Sequence, residues 1–136
     1  EWPLLQIRRG RAAAEDRVGL TSCFAAIAET GTLMLISGPQ TPTTINFLPD
    51  THIVIVRGDQ LVGCYEDGWD RLRASRSGEI LPRTINFITG PSRTADIEQH
   101  IELGAHGPRR LHIILIEDDE TTRSVQTVAH AGTPAQ

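Results

Sequence analysis

The sequence contains no lysine, and all 13 of its basic residues are arginine. A Schiff-base enzyme, a pyridoxal-phosphate enzyme and a Walker A phosphate loop each require a lysine amine, so this chain alone supports none of these chemistries. A cationic contact to a ligand must therefore come from guanidinium groups. Their planar fork suits the oxygens of carboxylates and phosphates.

Cysteine is also scarce. Cys23 and Cys64 are the only two and form no CxxC motif, which fits neither a disulfide framework nor a zinc site. We expect two free thiols in a reducing cytoplasm and no metal site, because an iron–sulfur cluster normally takes four thiolates. No run approaches the ~18 apolar residues of a membrane span, so we expect a cytoplasmic chain without a membrane partner.

Positive charge is in short supply as well. The net charge is -4, whereas nucleic-acid binding needs clustered positive charge, so no nucleic-acid partner is expected. The length of 136 residues, with 39% hydrophobic and 22% charged residues, is typical of one compact globular domain. We divide the chain into a lead-in at 1–17, an α/β domain at 18–118 and a loose tail at 119–136.

Periodicity and turn signals predict alternating helices and strands within 18–118. The predicted helices begin at Thr21, at Asp67 and at Thr94; each has a glycine close behind it as a stop. His52 and His112 begin strands, and we expect both to be structural. The predicted strands are "TLMLIS", "TINFLP", "HIVIVR", a weak "QLVGCY", "RTINFITG" and "LHIILIE".

The segment from Thr84 to Glu117 is predicted to run strand, helix, strand, which is a βαβ unit with parallel pairing. Its first link is "GPSRT", at the point where the strand becomes a helix. Helix N-termini favour anions through their free N–H groups and dipole. Gly90 allows close backbone approach, Ser92 and Thr94 offer hydroxyls and Arg93 offers a fork, so the stretch is a candidate anion cradle. A helix cap made by Ser92 or Thr94, with Arg93 in water, would explain it equally well.

Other polar residues are weaker candidates. Asp96 either complements the helix dipole or closes the loop, and with His100 it makes only two metal ligands, which are not a site. His106, in "GAHGP", is a candidate acid or base, although turn histidines commonly bond their own backbone. The second glycine turn is "AETGT", with Glu29, Thr30, Gly31 and Thr32, and taken alone we expect it to be an ordinary helix C-cap.

Together, "AIAETGTLML", "LPDTHIVIV", "GPSRTADIE" and "GAHGPRRLHIILIED" resemble the LUD domain family, the lactate-utilisation proteins of the LutC and YkgG type. The resemblance covers Val18 to Asp118. It implies a three-layer α/β fold with a mostly parallel sheet and flanking helices, similar to the NagB, ribose-phosphate isomerase and CoA-transferase group. The family's usual N-terminal helices and first strands are not in this chain. The family's signature positions fall on Glu29, Thr30, Gly31, Thr32, Gly90, Pro91, Ser92, Arg93, Thr94, Asp96, Ile97, Glu98, His106, Gly107 and Pro108.

The resemblance also implies a role in bacterial oxidation of L-lactate to pyruvate, beside an iron–sulfur subunit and an oxidoreductase subunit. This chain then corresponds to the member without a cluster or cofactor of its own, an accessory subunit that binds a small anionic ligand at Gly90–Asp96. The alternatives are an independent enzyme of the CoA-transferase or sugar-phosphate isomerase kind, with Glu29, Asp96 or His106 as acid or base, and a purely structural or regulatory domain. A homo-oligomer is left open.

Overall fold

A computed structural model describes residues 6–76, 81–95, 101–103, 107–117 and 125–129. Two four-stranded sheets carry the described fold, with strand orders β1-β4-β9-β10 and β5-β2-β3-β6. The strands are β1 Val18–Ser22, β2 Ala25–Ile27, β3 Thr32–Ile36, β4 Thr51–Arg57, β5 Leu61–Val62, β6 Ile85–Ile88, β7 Arg93–Ala95, β8 Ile101–Leu103, β9 Arg110–Ile116 and β10 Val125–Ala129. The helices are α1 Thr44–Phe47 and α2 Tyr65–Ser75, with a 3₁₀ turn at Gly58–Gln60.

The first sheet is mostly parallel, since β4 runs parallel to both of its neighbours, β1 and β9. The second sheet is mixed: β3 pairs antiparallel with β2 and β6, and β2 pairs parallel with β5. The mixed α/β fold, with a mostly parallel sheet and flanking helices, confirms the predicted fold class. Part of the segment expected to be a loose tail, β10, pairs antiparallel with β9.

The core has two layers because β3 is buried on both faces. Leu33 and Leu35 point towards the first sheet and pack in one cluster with Val54 and Val56 of β4. Met34, between them, points the other way and packs with Leu72 of α2. Alternate residues of a strand face opposite sides of the sheet, so a continuous apolar run is what a strand between two apolar layers requires.

Several sequence predictions are confirmed. "TLMLIS", "HIVIVR", "LHIILIE" and the strand after Arg83 all form strands, and the predicted surface helix is α2. The helix predicted from Thr21 is wrong, because that stretch contains β1 and β2. Ala25–Ile27 is buried at every position, and small side chains let this strand fit between the two packed layers.

The βαβ unit predicted for Thr84–Glu117 is also wrong. β6 and β9 lie in different sheets, and the described parts of the predicted helix, Arg93–Ala95 and Ile101–Leu103, form the antiparallel pair β7–β8. β-Branched Thr94 and Ile101 lose side-chain freedom in a helix and suit a strand, which favours the observed pairing. Residues 96–100 lie outside the described part.

The predicted strand "TINFLP" is wrong as well, since Thr44–Phe47 form α1. Pro42 begins this turn by accepting the Ile45 amide through its carbonyl, and Pro49 follows its end. α1 lies close against β1 at Gly19, where a Cβ atom would stand 2.7 Å from the Ile45 carbonyl oxygen and 3.1 Å from Pro49. The glycine therefore sets the distance between helix and sheet.

We predict that Gly19→Ala destabilises the fold by about 1–3 kcal/mol, because the backbone of α1 must move away from β1. Urea unfolding measures the change in free energy. Gly58→Ala is the matched control, since its Cβ would have nothing closer than the Ile116 carbonyl oxygen at 3.9 Å, and we expect a change below about 0.5 kcal/mol. Equal stability of the Gly19 variant and the wild type would contradict this account of the packing.

His52 is a fully buried polar residue of β4. Its Nε2 lies 2.8 Å from the Thr21 hydroxyl, and its Nδ1 has no hydrogen-bond partner among the described residues. Burial lowers the pKa of this imidazole from 6.5 to about 4. The ring is therefore neutral in the folded protein at pH 7, as a structural histidine should be.

The depressed pKa of His52 predicts a loss of stability as the pH falls from about 6.5 towards 4. The unfolded chain binds the proton first, so protonation favours unfolding across this window, by up to about 3 kcal/mol at its lower end. Urea unfolding at several pH values tests this against His52→Gln, which lacks the titrating ring. The two proteins should diverge only below pH 6.5, and parallel pH profiles would show that His52 does not titrate in this way.

Candidate functional site

Four hydroxyl groups meet at the start of β3 and form what we call the hydroxyl cluster: Thr30, Thr32, Tyr65 and Thr89. The Thr32 Oγ1 lies 2.7 Å from that of Thr30 and 2.6 Å from that of Thr89. It also lies 3.0 Å from the Tyr65 hydroxyl. Thr32 is fully buried, whereas Thr30 and Thr89 are exposed and Tyr65 is half-buried, so the cluster reaches from the core to the surface.

Each member is positioned by a different element. Thr30 lies in the turn Ala28–Gly31 of the β2–β3 hairpin, where Gly31 takes a left-handed φ of +65°. This turn was expected to be a helix C-cap and is a strand connection instead. Thr89 directly follows β6, which pairs with β3. The antiparallel pairing of these strands brings Thr89 beside Thr32.

Tyr65 is the first residue of α2. The Asp67 carboxylate accepts the amides of Cys64 and Gly63, at 3.1 and 3.2 Å, which fixes the start of the helix. These contacts lower the pKa of Asp67. The Tyr65 ring packs against Phe87 with 5.5 Å between ring centroids, so the phenol is held from two sides.

The number of hydrogens limits what the hydroxyl cluster can donate. A threonine hydroxyl donates one hydrogen bond and accepts two, so three bonded neighbours saturate Thr32. Two of the neighbours must then donate their hydrogen to Thr32, and only the third keeps its O–H for another partner. The cluster therefore presents one donor and several lone pairs, and it suits a ligand that brings a donor of its own.

The hydrogen bonds from Thr32 and Thr30 lower the pKa of Tyr65, because hydroxyl donors stabilise the phenolate. The nearby Glu29 carboxylate acts in the opposite direction. Sequence reasoning missed Tyr65. Its position at the start of a surface helix gives no signal of a contact with β3.

The Gly90 turn does not have the predicted geometry. Gly90 takes a left-handed φ of +90°, but Arg93–Ala95 is a strand and offers no helix N-terminus to an anion. The Ser92 amide donates instead to the Pro108 carbonyl, at 2.9 Å. A Cβ atom on Gly107 would stand 3.4 Å from that of Ser92, so Gly107 lies directly against the turn.

The predicted site residues therefore gather at two neighbouring places. Thr30, Gly31 and Thr32 meet Thr89 in the hydroxyl cluster, and the turn that follows Thr89 brings Gly90 and Ser92 to Gly107. Glu29 is exposed beside the cluster. Asp96 and His106, and the side chains of Arg93 and Thr94, lie outside the described part.

The two cysteines are free, as predicted. Cys23 is buried, and burial raises the pKa of its thiol to about 11, so it is a core residue rather than a nucleophile. No group of three or more His, Cys, Asp or Glu residues in the described ranges could hold a metal ion. No helix of the described chain is long and apolar enough to cross a membrane.

A sequence profile of the LUD domain matches residues 5–116, which includes the hydroxyl cluster and the Gly90 turn. The chain belongs to the LUD domain family. This finding confirms the resemblance drawn from the motifs.

Similar proteins include "Lactate utilization protein C" of Geobacillus sp. (strain WCH70), 36% identical over 107 residues, which are 78% of this chain and 44% of that protein. The protein of the same name from Halalkalibacterium halodurans is 38% identical over 107 residues, 78% of this chain and 46% of its own length. A crystal structure of a DUF162 family protein from Deinococcus radiodurans is 33% identical, with a TM-score of 0.56, and the match covers 75% of this chain and 54% of that one. This LUD chain therefore spans about half the length of the relatives it matches.

We predict that Thr32→Val destabilises the LUD fold by about 1–3 kcal/mol. Valine suits the strand and keeps the shape of threonine, but it removes the hydroxyl that joins the other three. Urea unfolding measures the loss. Thr30→Val is the control, because it removes one contact at an exposed position and should cost less than Thr32→Val. An equal or larger loss for the Thr30 variant would show that Thr32 is not the centre of the cluster.

Proposed function

We propose that this LUD chain is the ligand-binding part of a non-redox accessory protein in a bacterial system that oxidises L-lactate to pyruvate. The shared family and the relatives' name, "Lactate utilization protein C", support the lactate system. In this proposal, iron–sulfur and oxidoreductase subunits carry the electrons. The chain described above acts in the cytoplasm and contributes a binding site for a small anionic ligand.

The hydroxyl cluster is the observation that carries the proposal. Within it, the Thr32 and Thr89 hydroxyls lie 2.6 Å apart and join the two glycine turns, although these residues are 57 positions apart in the sequence. Its spare lone pairs would accept the hydroxyl of a 2-hydroxy acid such as L-lactate. The carbonyl of a 2-oxo acid such as pyruvate has no hydrogen to give, so this cluster would hold it less well.

The carboxylate of the ligand needs donors of its own. Arg93 is our candidate, because it follows Ser92 in the turn that begins directly after Thr89 of the cluster. Its fork can bind both oxygens of a carboxylate. Gly31 and Gly90 both have a positive φ, and no side chain covers their backbone. A ligand that binds the cluster and Arg93 could therefore come close to the backbone at both glycines. Thr94, Asp96 and His106 remain candidates from the sequence alone.

We predict that the chain binds L-lactate more tightly than pyruvate in isothermal titration. Tyr65→Phe and Thr89→Val should each weaken L-lactate binding about 3- to 10-fold, because each removes one hydrogen-bonding group. Arg93→Gln should weaken the binding of both acids, since both have a carboxylate. The Tyr65 and Thr89 variants should therefore lose the preference for L-lactate over pyruvate. The Arg93 variant should keep this preference but bind both acids more weakly.

Ser75→Ala is the matched control for removal of a hydroxyl. The Ser75 hydroxyl donates to the Leu72 carbonyl at the far end of α2, away from the cluster, so this variant should bind L-lactate as the wild type does. Equal affinity of the wild type for the two acids would contradict the role of the cluster. Turnover of either acid by the isolated chain would replace the accessory role with the independent enzyme that the sequence left open.

A further inference from the structure

A second cavity lies at the opposite ends of the strands that carry the hydroxyl cluster. We call it the arginine cavity and define it by Arg11, Ser37, Thr43, Thr44, Arg83 and Thr84, which line it. Its volume is about 780 Å³, within the range of sites for small molecules. Ser37 follows the end of β3 and Thr84 precedes β6. Thr32 and Thr89 stand at the other ends of the same two strands, so the cavity and the cluster are roughly 15 Å apart.

The walls of the arginine cavity come from three separate segments that hydrogen bonds hold together. The Ser37 amide donates to the Thr84 carbonyl and the Thr84 amide donates to the Ser37 hydroxyl, each at 2.9 Å. The Ala12 amide, next to Arg11, donates to the Thr44 hydroxyl at 3.2 Å. These bonds hold the backbone of the three segments together, and the Arg11 and Arg83 side chains are exposed.

The positive charge of this cavity comes from two arginines, Arg11 and Arg83. Arg8, Arg17, Arg57 and Arg73 are each paired with an aspartate. Arg11 and Arg83 make no ion pair or hydrogen bond within the described part of the chain, and no lining residue is acidic. The cavity thus holds two positive charges, and its described lining supplies no counter-charge.

Another cavity of the described chain contains a paired arginine. It measures about 440 Å³ and is lined by Arg57 among other residues. The Arg57 guanidinium already binds both carboxylate oxygens of Asp59, each at 2.9 Å. An anion there would have to displace an internal partner, whereas at Arg11 and Arg83 it would displace only water.

We infer that the arginine cavity is a binding site for a small dianion, with one charge on each guanidinium and the Thr43 hydroxyl as an additional donor. The ligand chemistry is that of a phosphate group or a dicarboxylate, since both present paired oxygens to a guanidinium fork. This site is separate from the proposed hydroxy-acid site and does not depend on it.

Isothermal titration of inorganic phosphate and of succinate into the whole chain at low ionic strength tests the inference. We expect saturable binding of at least one of the two anions. The anion that binds more tightly shows whether the site prefers a phosphate group or a dicarboxylate. Acetate, a monoanion, should bind more weakly. Arg11→Gln and Arg83→Gln should each reduce the affinity about tenfold, and the double variant should abolish it.

Arg109→Gln is the matched control, because Arg109 is an exposed arginine that does not line the cavity. It should bind the dianion as the wild type does, and so should Tyr65→Phe, whose change lies in the hydroxyl cluster. The inference fails if neither dianion binds up to about 10 mM, or if Arg83→Gln and Arg109→Gln weaken binding equally. Conversely, Arg83→Gln should bind L-lactate as the wild type does, so the two proposed sites can fail independently.

Discussion

The burial of β3 on all sides is the constraint on which the rest of the structure depends. Its backbone pairs with β2 on one edge and with β6 on the other, and its two faces pack against the first sheet and against α2. A slip by one residue would turn Leu33 and Leu35 to the wrong face, so the register is strongly fixed. The Thr32 hydroxyl at its start and Ser37 just past its end are therefore held in place by the core itself.

This constraint also explains which parts of the fold the sequence predicts. A strand between apolar layers gives a continuous apolar run, and such runs led to correct predictions for β3, β4 and β9. The tetrapeptide "TINF" illustrates the limit. It forms α1 at Thr44–Phe47, between Pro42 and Pro49, whereas at Thr84–Phe87 its last three residues pair with β3 as part of β6. The partner strand decides between helix and strand here, and a local pattern does not contain the partner.

The candidate site was predictable in its residue types but not in its geometry. Glycines and hydroxyls in "AETGT" and around "TGPS" marked backbone turns with polar groups, and these turns meet in the structure. The predicted helix N-terminus failed because the residues after Gly90 find a strand partner in Ile101–Leu103. Tyr65 was missed because it lies 33 residues from Thr32 in the sequence. No sequence pattern indicates that the start of a helix will contact a hairpin turn so far away.

The two proposed sites lie at opposite ends of the strand pair β3–β6 and offer different groups to an anionic ligand. The hydroxyl cluster has more lone pairs than hydrogens to donate and no cationic group of its own. It can therefore accept a hydrogen bond from a ligand's hydroxyl, but it cannot neutralise a ligand's negative charge. The arginine cavity has two guanidinium groups and can neutralise negative charge on a ligand. A guanidinium group only donates hydrogen bonds, so Arg11 and Arg83 favour a ligand with paired oxygen atoms.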